Sequence, residues 1–104
     1  MSKRIINPKV MFNRVTKHPN AVLLEDNDNY YTLAITHKKL PNRTYNQFNK
    51  NPIHKDSRES YYEVIVRVYK RSNLVKIRGF VKLDEKDKII IKEIALYYLK
   101  KGSK

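Results

Sequence analysis

Apolar positions recur with period two along most of this chain and with the helical period only near its end. Ala21–Glu25 is a short apolar run and predicts a buried strand. Asp26-Asn27-Asp28-Asn29 follows, a cluster of residues that form turns and tolerate left-handed backbone. Tyr30–Thr36 is rich in β-formers, so it predicts a second strand and, with the first, a hairpin. From Tyr61 to Lys70 the pattern alternates. Tyr62, Val64, Val66 and Val68 fall on one face, and Tyr61, Glu63, Ile65, Arg67 and Tyr69 on the other. Arg71-Ser72-Asn73 then predicts a turn and Leu74–Val81 a returning strand, with Gly79 marking a bulge. Near the start, Val10-Met11-Phe12 with Val15 fits a strand or one helical turn. The strand is the better reading, leading into a loop at Thr16–Asn20 that Pro19 ends.

Two segments depart from this alternation. His37–Ser60 holds Pro41, Pro52, four asparagines and several charges with no period of either kind. It predicts a long, exposed, basic loop over 37–60, and loops of that length in a small domain are functional or mobile. After Leu83, the helical period appears. Asp84 is a good N-cap, Asp87 stands in the first turn, Lys100 and Lys101 in the last, and Gly102 is a natural stop. Ile90, Ile91, Ile94, Ala95, Tyr97 and Tyr98 form the apolar stripe expected to pack on the sheet. The expectation is one α+β domain over residues 1–104, mostly β, with a C-terminal helix on its sheet.

Charge changes the picture from fold to function. The 104 residues carry 23 Lys plus Arg against 10 Asp plus Glu, a net charge of +13. A field of that strength attracts polyanions, and phosphate contacts release counterions. The cations come in blocks: Lys3 to Lys17, Lys38 to Arg58, and Arg67 to Lys82, the first and last without an acid. Nucleic acid or another polyanion is the expected partner. Other chemistries are excluded or unsupported. There is no cysteine, hence no disulfide framework and no thiolate metal site. His18, His37 and His54 lack the spacing of a zinc motif, and two glycines are too few for a phosphate-cradling loop, so no metal and no cofactor is expected. No apolar run approaches the roughly 18 residues of a membrane span. The basic N-terminus lacks the apolar stretch of a secretion signal, and the cytoplasm is the expected compartment.

One juxtaposition carries chemistry. Lys17-His18-Pro19 precedes the first hairpin strand and Thr36-His37-Lys38-Lys39 follows the second. A hairpin brings its open ends together, so cations, a hydroxyl and two imidazoles should be neighbours. Such a set can bind a phosphodiester, stabilise the charge of a phosphoryl transition state and move a proton.

These segments resemble the MazF/PemK family of bacterial toxin endoribonucleases. In that family a Lys-x-Arg-Pro segment precedes an Ala-Val-Val-Leu strand, and a second strand ends in a Pro-Leu-Thr-Ser type motif. Here the corresponding stretches are Lys17-His18-Pro19-Asn20-Ala21-Val22-Leu23-Leu24 and Leu33-Ala34-Ile35-Thr36-His37. The basic strand and turn before the family's terminal helix correspond to Lys76-Ile77-Arg78-Gly79-Phe80-Val81-Lys82-Leu83-Asp84. The resemblance covers most of the chain from residue 17 and implies a small, strongly bent antiparallel sheet or partly open barrel, a homodimer, and metal-independent RNA cleavage. Thr36 matches the family's threonine, whereas His18 stands where the family has its arginine. The family's usual Gly-Asp-Ile start is missing.

Three functions are in competition. The first is a toxin endoribonuclease cutting single-stranded RNA. His18 or His37 would exchange protons, Thr36 would orient the phosphate, and Arg14 and Lys17 would hold charge. Tyr45 and Phe48 would stack on bases or, equally, anchor their loop. Lys38, Lys39, Arg43, Lys50, Arg71, Lys76 and Arg78 complete the expected nucleic-acid surface. The second is a non-catalytic DNA- or RNA-binding accessory protein of a phage or mobile element. The third is an interaction protein whose charge serves an acidic, antitoxin-like partner.

Overall fold

The computed structural model describes residues 2–53, 59–76 and 82–102. Its strands are β1 Arg4–Asn13, β2 His18–Glu25, β3 Asn29–Thr36, β4 Tyr45–Gln47, β5 Tyr61–Glu63, β6 Arg67–Lys70 and β7 Leu74–Val75. A short 3₁₀ turn, Arg71–Asn73, lies between β6 and β7, and the helix α1 runs from Glu85 to Gly102. The strands make one antiparallel sheet in the order β4-β5-β3-β2-β1-β7, with β6 also paired to β3.

The predicted hairpin is β2–β3, closed by Asp26, whose carboxylate Oδ1 accepts the backbone N–H groups of Asp28 (2.9 Å) and Asn29 (2.8 Å). The first strand is longer than expected and forms its own hairpin with β2, through a four-residue turn at 14–17. Lys17 takes φ 64° in that turn, so β2 already begins at His18 rather than after Pro19. Of the predicted returning strand Leu74–Val81, the described part does not run beside β6, and residues 77–81, Arg78 and Gly79 among them, lie outside the described residues. Its first two residues pair with β1, Phe12 with Val75 and Asn13 with Leu74.

That pairing dictates the curl. From β6 across β3, β2 and β1 to β7 is four strand spacings, about 19 Å in a flat sheet. The link from Lys70 to Leu74 reaches about 14 Å at full extension. The sheet must therefore bend, and it forms a strongly curled half-barrel. Irregularities supply the bend. Between Ile5 and Lys9 the β1–β2 register shifts, in a stretch that holds Pro8, which has no N–H for the ladder. Leu23 is an extra residue between the pairs Val22–Thr32 and Leu24–Tyr31. This bulge breaks the alternation, so Ala21, Val22, Leu23 and Leu24 are all buried.

The predicted Tyr61–Lys70 strand is broken in the middle. Tyr61 and Tyr62 pair with Thr36 and Ile35, whereas Arg67 to Lys70 pair with Thr32 to Asn29. Glu63–Val66 therefore opposes only Leu33 and Ala34, a wide bulge on one edge of β3. One consequence is that Val68, expected on the apolar face, is exposed.

α1 packs on one side of the sheet. Ile91 and Ala95 are fully buried with Leu23, Leu33, Ile35 and Tyr62, and Ile94, Tyr98 and Leu99 pack against them. The buried stripe is rotated from the predicted one, because Ile90 and Tyr97 are 43% and 66% exposed. The reason is Asp87, which occupies a core-facing position. Its carboxylate accepts the backbone N–H of Asn49 (2.8 Å) and of Lys50 (3.2 Å), so a polar residue faces inward and turns the helix. Asp84 caps the helix as expected, accepting the N–H of Lys86, and also binds the Asn49 amide at 2.9 Å. The 37–60 loop is thereby tied to the helix start. Phe48 and Pro52 are buried, and β4 pairs with β5. No described helix is long and apolar enough to cross a membrane.

Candidate functional site

The opposite side of the sheet carries a smaller apolar group, Met11, Val22, Tyr30 and Leu74, with Ile6 and Tyr69 against it. Beyond Tyr69 that side turns polar. Alternation along β3 places Tyr30, Thr32, Ala34 and Thr36 here, with Tyr31, Leu33 and Ile35 on the helix side. Thr32 lies opposite Arg67 on β6, and Ala34 opposite Asn20 on β2. Continuing the latter register by two places sets His18 across from Thr36. The small side chains of Ala34 and the threonines leave a hollow. The result is a cleft of about 500 Å³, floored by Asn20, Thr32, Ala34 and Thr36 and walled by Thr16, His18, Lys38, Leu40, Arg43, Tyr45, Glu63, Arg67 and Tyr69.

The electrostatic centre of the cleft is Glu63. It is 6% exposed and lies 3.5 Å from a guanidinium nitrogen of Arg43 and 3.5 Å from one of Arg67. The two arginines come from different elements, the 37–60 loop and β6, and remain about half exposed. A buried carboxylate needs such partners, and it fixes both guanidiniums at the cleft wall. With Lys38, the cleft carries cations in excess of its one carboxylate.

His18 is held by the turn before it. Asn13 is fully buried; its Oδ1 accepts the N–H groups of Val15 (2.9 Å) and Thr16 (3.2 Å), and its Nδ2 donates to Asn20 Oδ1 at 2.8 Å. This network fixes the backbone that leads into His18. The Thr36 hydroxyl accepts the Lys38 N–H at 3.1 Å and donates to the Lys38 carbonyl at 3.0 Å. It shapes the turn that carries Lys38 to the cleft. Tyr45 braces the same loop, its hydroxyl accepting the Leu40 N–H.

Of the expected site residues, His18, Thr36, Lys38, Arg43 and Tyr45 come together in this cleft. The others do not line it. His37 follows the alternation to the other side, with Nδ1 3.1 Å from the Glu59 carbonyl. Lys39 lies over the Tyr61 ring at 4.8 Å. Phe48 is 5% exposed with its ring 4.8 Å from that of Tyr62, so it anchors the loop in the core and is closed to bases. Lys50 sits at the helix start. Arg71 is at the far end of β3, over Tyr30 and donating to the Asp26 carbonyl at 3.0 Å. Arg14 and Lys17 are exposed in the turn beside the cleft, with the Arg14 N–H on the Asn73 carbonyl, and Lys76 is exposed just past β7. Arg78 lies outside the described residues.

Sequence reasoning missed Glu63 and Tyr69 and placed Arg67 only in a basic block. All three fall on the polar face of the alternating Tyr61–Lys70 run, which by itself reads as a solvated face. Among the described residues, no three of His, Asp and Glu group as metal ligands would. Compared with known protein families, curated proteins and solved structures, the chain matches none.

Proposed function

We propose that the protein is a metal-independent endoribonuclease of the toxin type, which cuts single-stranded RNA in the cleft between β2, β3 and the 37–60 loop. The observation that carries this reading is the convergence on one hollow of an imidazole, a buried carboxylate and two guanidiniums held by it. A phosphodiester entering the cleft competes with Glu63 for Arg43 and Arg67. The guanidiniums then neutralise the charge that grows on phosphorus, and the carboxylate is freed to take a proton. The 2′-oxygen attacks the adjacent phosphorus as its proton passes to Glu63. The bond to the 5′-oxygen breaks, and that oxygen leaves with a proton from the His18 imidazolium. The products are a 2′,3′-cyclic phosphate and a 5′-hydroxyl. Lys38 orients the phosphate from the β3 end, on the turn that the Thr36 hydroxyl shapes. Arg14 and Lys17, exposed beside Thr16 of the cleft wall, extend a phosphate track over the first turn. The cytoplasm, where RNA is met, belongs to the same reading.

The test is incubation of the purified chain with single-stranded RNA in excess EDTA. Fragments are expected, and His18→Ala and Glu63→Gln should each slow their formation by about 10²–10⁴-fold, the usual worth of a proton carrier. RNA bound tightly but left whole would instead make the protein a binding module. Cleavage undiminished in both variants would mean that the chemistry is not in this cleft.

A further inference from the structure

The Arg43–Glu63–Arg67 group has a second side. A separate hollow of about 330 Å³ backs onto it, lined by Asn42, Thr44, Val64 and Ile65 together with those three residues. It exists because of the wide bulge at Glu63–Val66. The extra residues swing the chain outward, turning Glu63 toward the arginines and leaving Ile65 49% exposed. The facing wall is tied to the bulge by the backbone. The Val64 N–H donates to the Thr44 carbonyl at 2.9 Å, which ties the 37–60 loop to the bulge. Asn42 stands beside it with φ 63°, a left-handed conformation that costs most residues but suits asparagine.

The chemistry of this hollow differs from that of the cleft. The cleft offers cations and proton carriers. The hollow adds an aliphatic surface, Val64 and Ile65, and neutral hydrogen-bonding groups, the Asn42 amide and the Thr44 hydroxyl. A phosphate gains nothing from the aliphatic surface. A planar heterocycle gains from all of it: aliphatic and guanidinium surface to lie on, and an amide that both donates and accepts at its edge. Because Arg43 and Arg67 line both hollows, a phosphate held in the cleft has its own nucleotide's base within reach of the second.

We propose that the hollow at the β5–β6 bulge is a nucleobase subsite, in which Asn42 reads the edge of the RNA base adjoining the scissile phosphate and Ile65 supports its face. This deepens the endoribonuclease reading and rests on it for the position of the phosphate. It makes the enzyme selective for one base beside the cut. An amide read-out of this kind discriminates by about 5- to 150-fold, whereas packing on Ile65 is indifferent to base identity.

Two measurements test it on the full chain. The first is binding of the four ribonucleoside 3′-monophosphates, followed by calorimetry, for wild type, Asn42→Gly and Ile65→Ala. Glycine tolerates the φ of position 42, so Asn42→Gly removes the amide without straining the loop. Wild type should prefer one of the four by about fivefold or more. Asn42→Gly should bring the four within about twofold, and Ile65→Ala should weaken all four alike. The second is sequencing of fragment ends from a randomised RNA, where Asn42→Gly should erase the base preference while cutting continues. Discrimination among the nucleotides without any RNA cleavage would keep the subsite and overturn the enzymatic reading. Cleavage whose base preference is absent, or is unchanged in both variants, would overturn the subsite and keep the enzyme.

Discussion

Asp87→Asn isolates the clamp that holds the loop wall of the cleft. Asp87 is 1% exposed, and its two oxygens accept separate backbone donors, Asn49 N–H at 2.8 Å and Lys50 N–H at 3.2 Å. Asparagine fits the same space but has one acceptor oxygen; its amide group opposes the second donor whichever way it is turned. One charge-assisted bond is lost, another becomes neutral, and a part-buried N–H is left unpaired. Together these cost about 2–4 kcal/mol. For a domain of this size, at roughly 4–8 °C per kcal/mol, the melting temperature falls by about 8–32 °C. Thermal unfolding by circular dichroism reads the shift. Amide hydrogen exchange reads its origin, since the Asn49 and Lys50 amides should lose protection before the β2–β3 amides do. The loop also carries Lys38, Arg43 and Tyr45, so RNA affinity should fall with the clamp. A melting temperature within about 2 °C of wild type, with Asn49 and Lys50 still protected, would refute the clamp and with it the account of why the helix stripe is rotated.

The remaining predictions address the fold and the charge separately. Tyr31 donates to Asp26 Oδ2 at 2.7 Å, and that bond, first among its causes, lowers Asp26 from 3.8 to about 2, while burial and the same bond raise Tyr31 from 10.0 to about 12. The Asp26 contribution is therefore complete above about pH 4 and lost as pH falls through 2; the Tyr31 contribution is complete below pH 10 and lost as pH rises through 12. Tyr31→Phe should flatten both limbs of a stability–pH profile, and a profile identical to wild type would contradict the pairing. Asn13→Ala strands the buried Asn20 Oδ1 and two turn amides, and chemical denaturation should show a loss of about 2–4 kcal/mol. In single-strand binding titrations, Arg43→Ala and Arg67→Ala should each reduce the slope of log affinity against log salt by about 0.7. Arg71→Ala should leave that slope alone and lower stability, because Arg71 is tied to the Asp26 carbonyl and Glu25.

The parts of the fold legible in the sequence are those set by local chemistry. The β2–β3 hairpin announces itself through a run of turn formers between β-rich segments, and α1 through its cap, its end charges and its period. What period alone could not convey is register. Leu23 and Glu63–Val66 are insertions relative to the opposing strand, and a bulge is visible only when both strands are in view. The rotated helix stripe has a similar cause, because Asp87 is core-facing only through two amides 37 and 38 residues away in sequence. The candidate site was half legible. The open ends of the hairpin did bring His18 and Thr36 to one cleft, but Glu63 and Arg67 read as the solvent face of a strand. Nothing local distinguishes a solvated charged face from one folded over a hollow. Phe48 is a second case: an aromatic in a basic loop reads equally as a stacking platform or as an anchor until its packing on Tyr62 is known.

The most direct measurement of the central claim is mass spectrometry of the fragment ends made from single-stranded RNA in chelator, alongside the same strand carrying 2′-deoxyribose throughout. If Glu63, His18 and the two arginines act on phosphorus through the neighbouring hydroxyl, the fragments end in 2′,3′-cyclic phosphate and 5′-hydroxyl, and the deoxy strand stays whole. Intact RNA, 5′-phosphate ends, or equal cutting of the deoxy strand would contradict it.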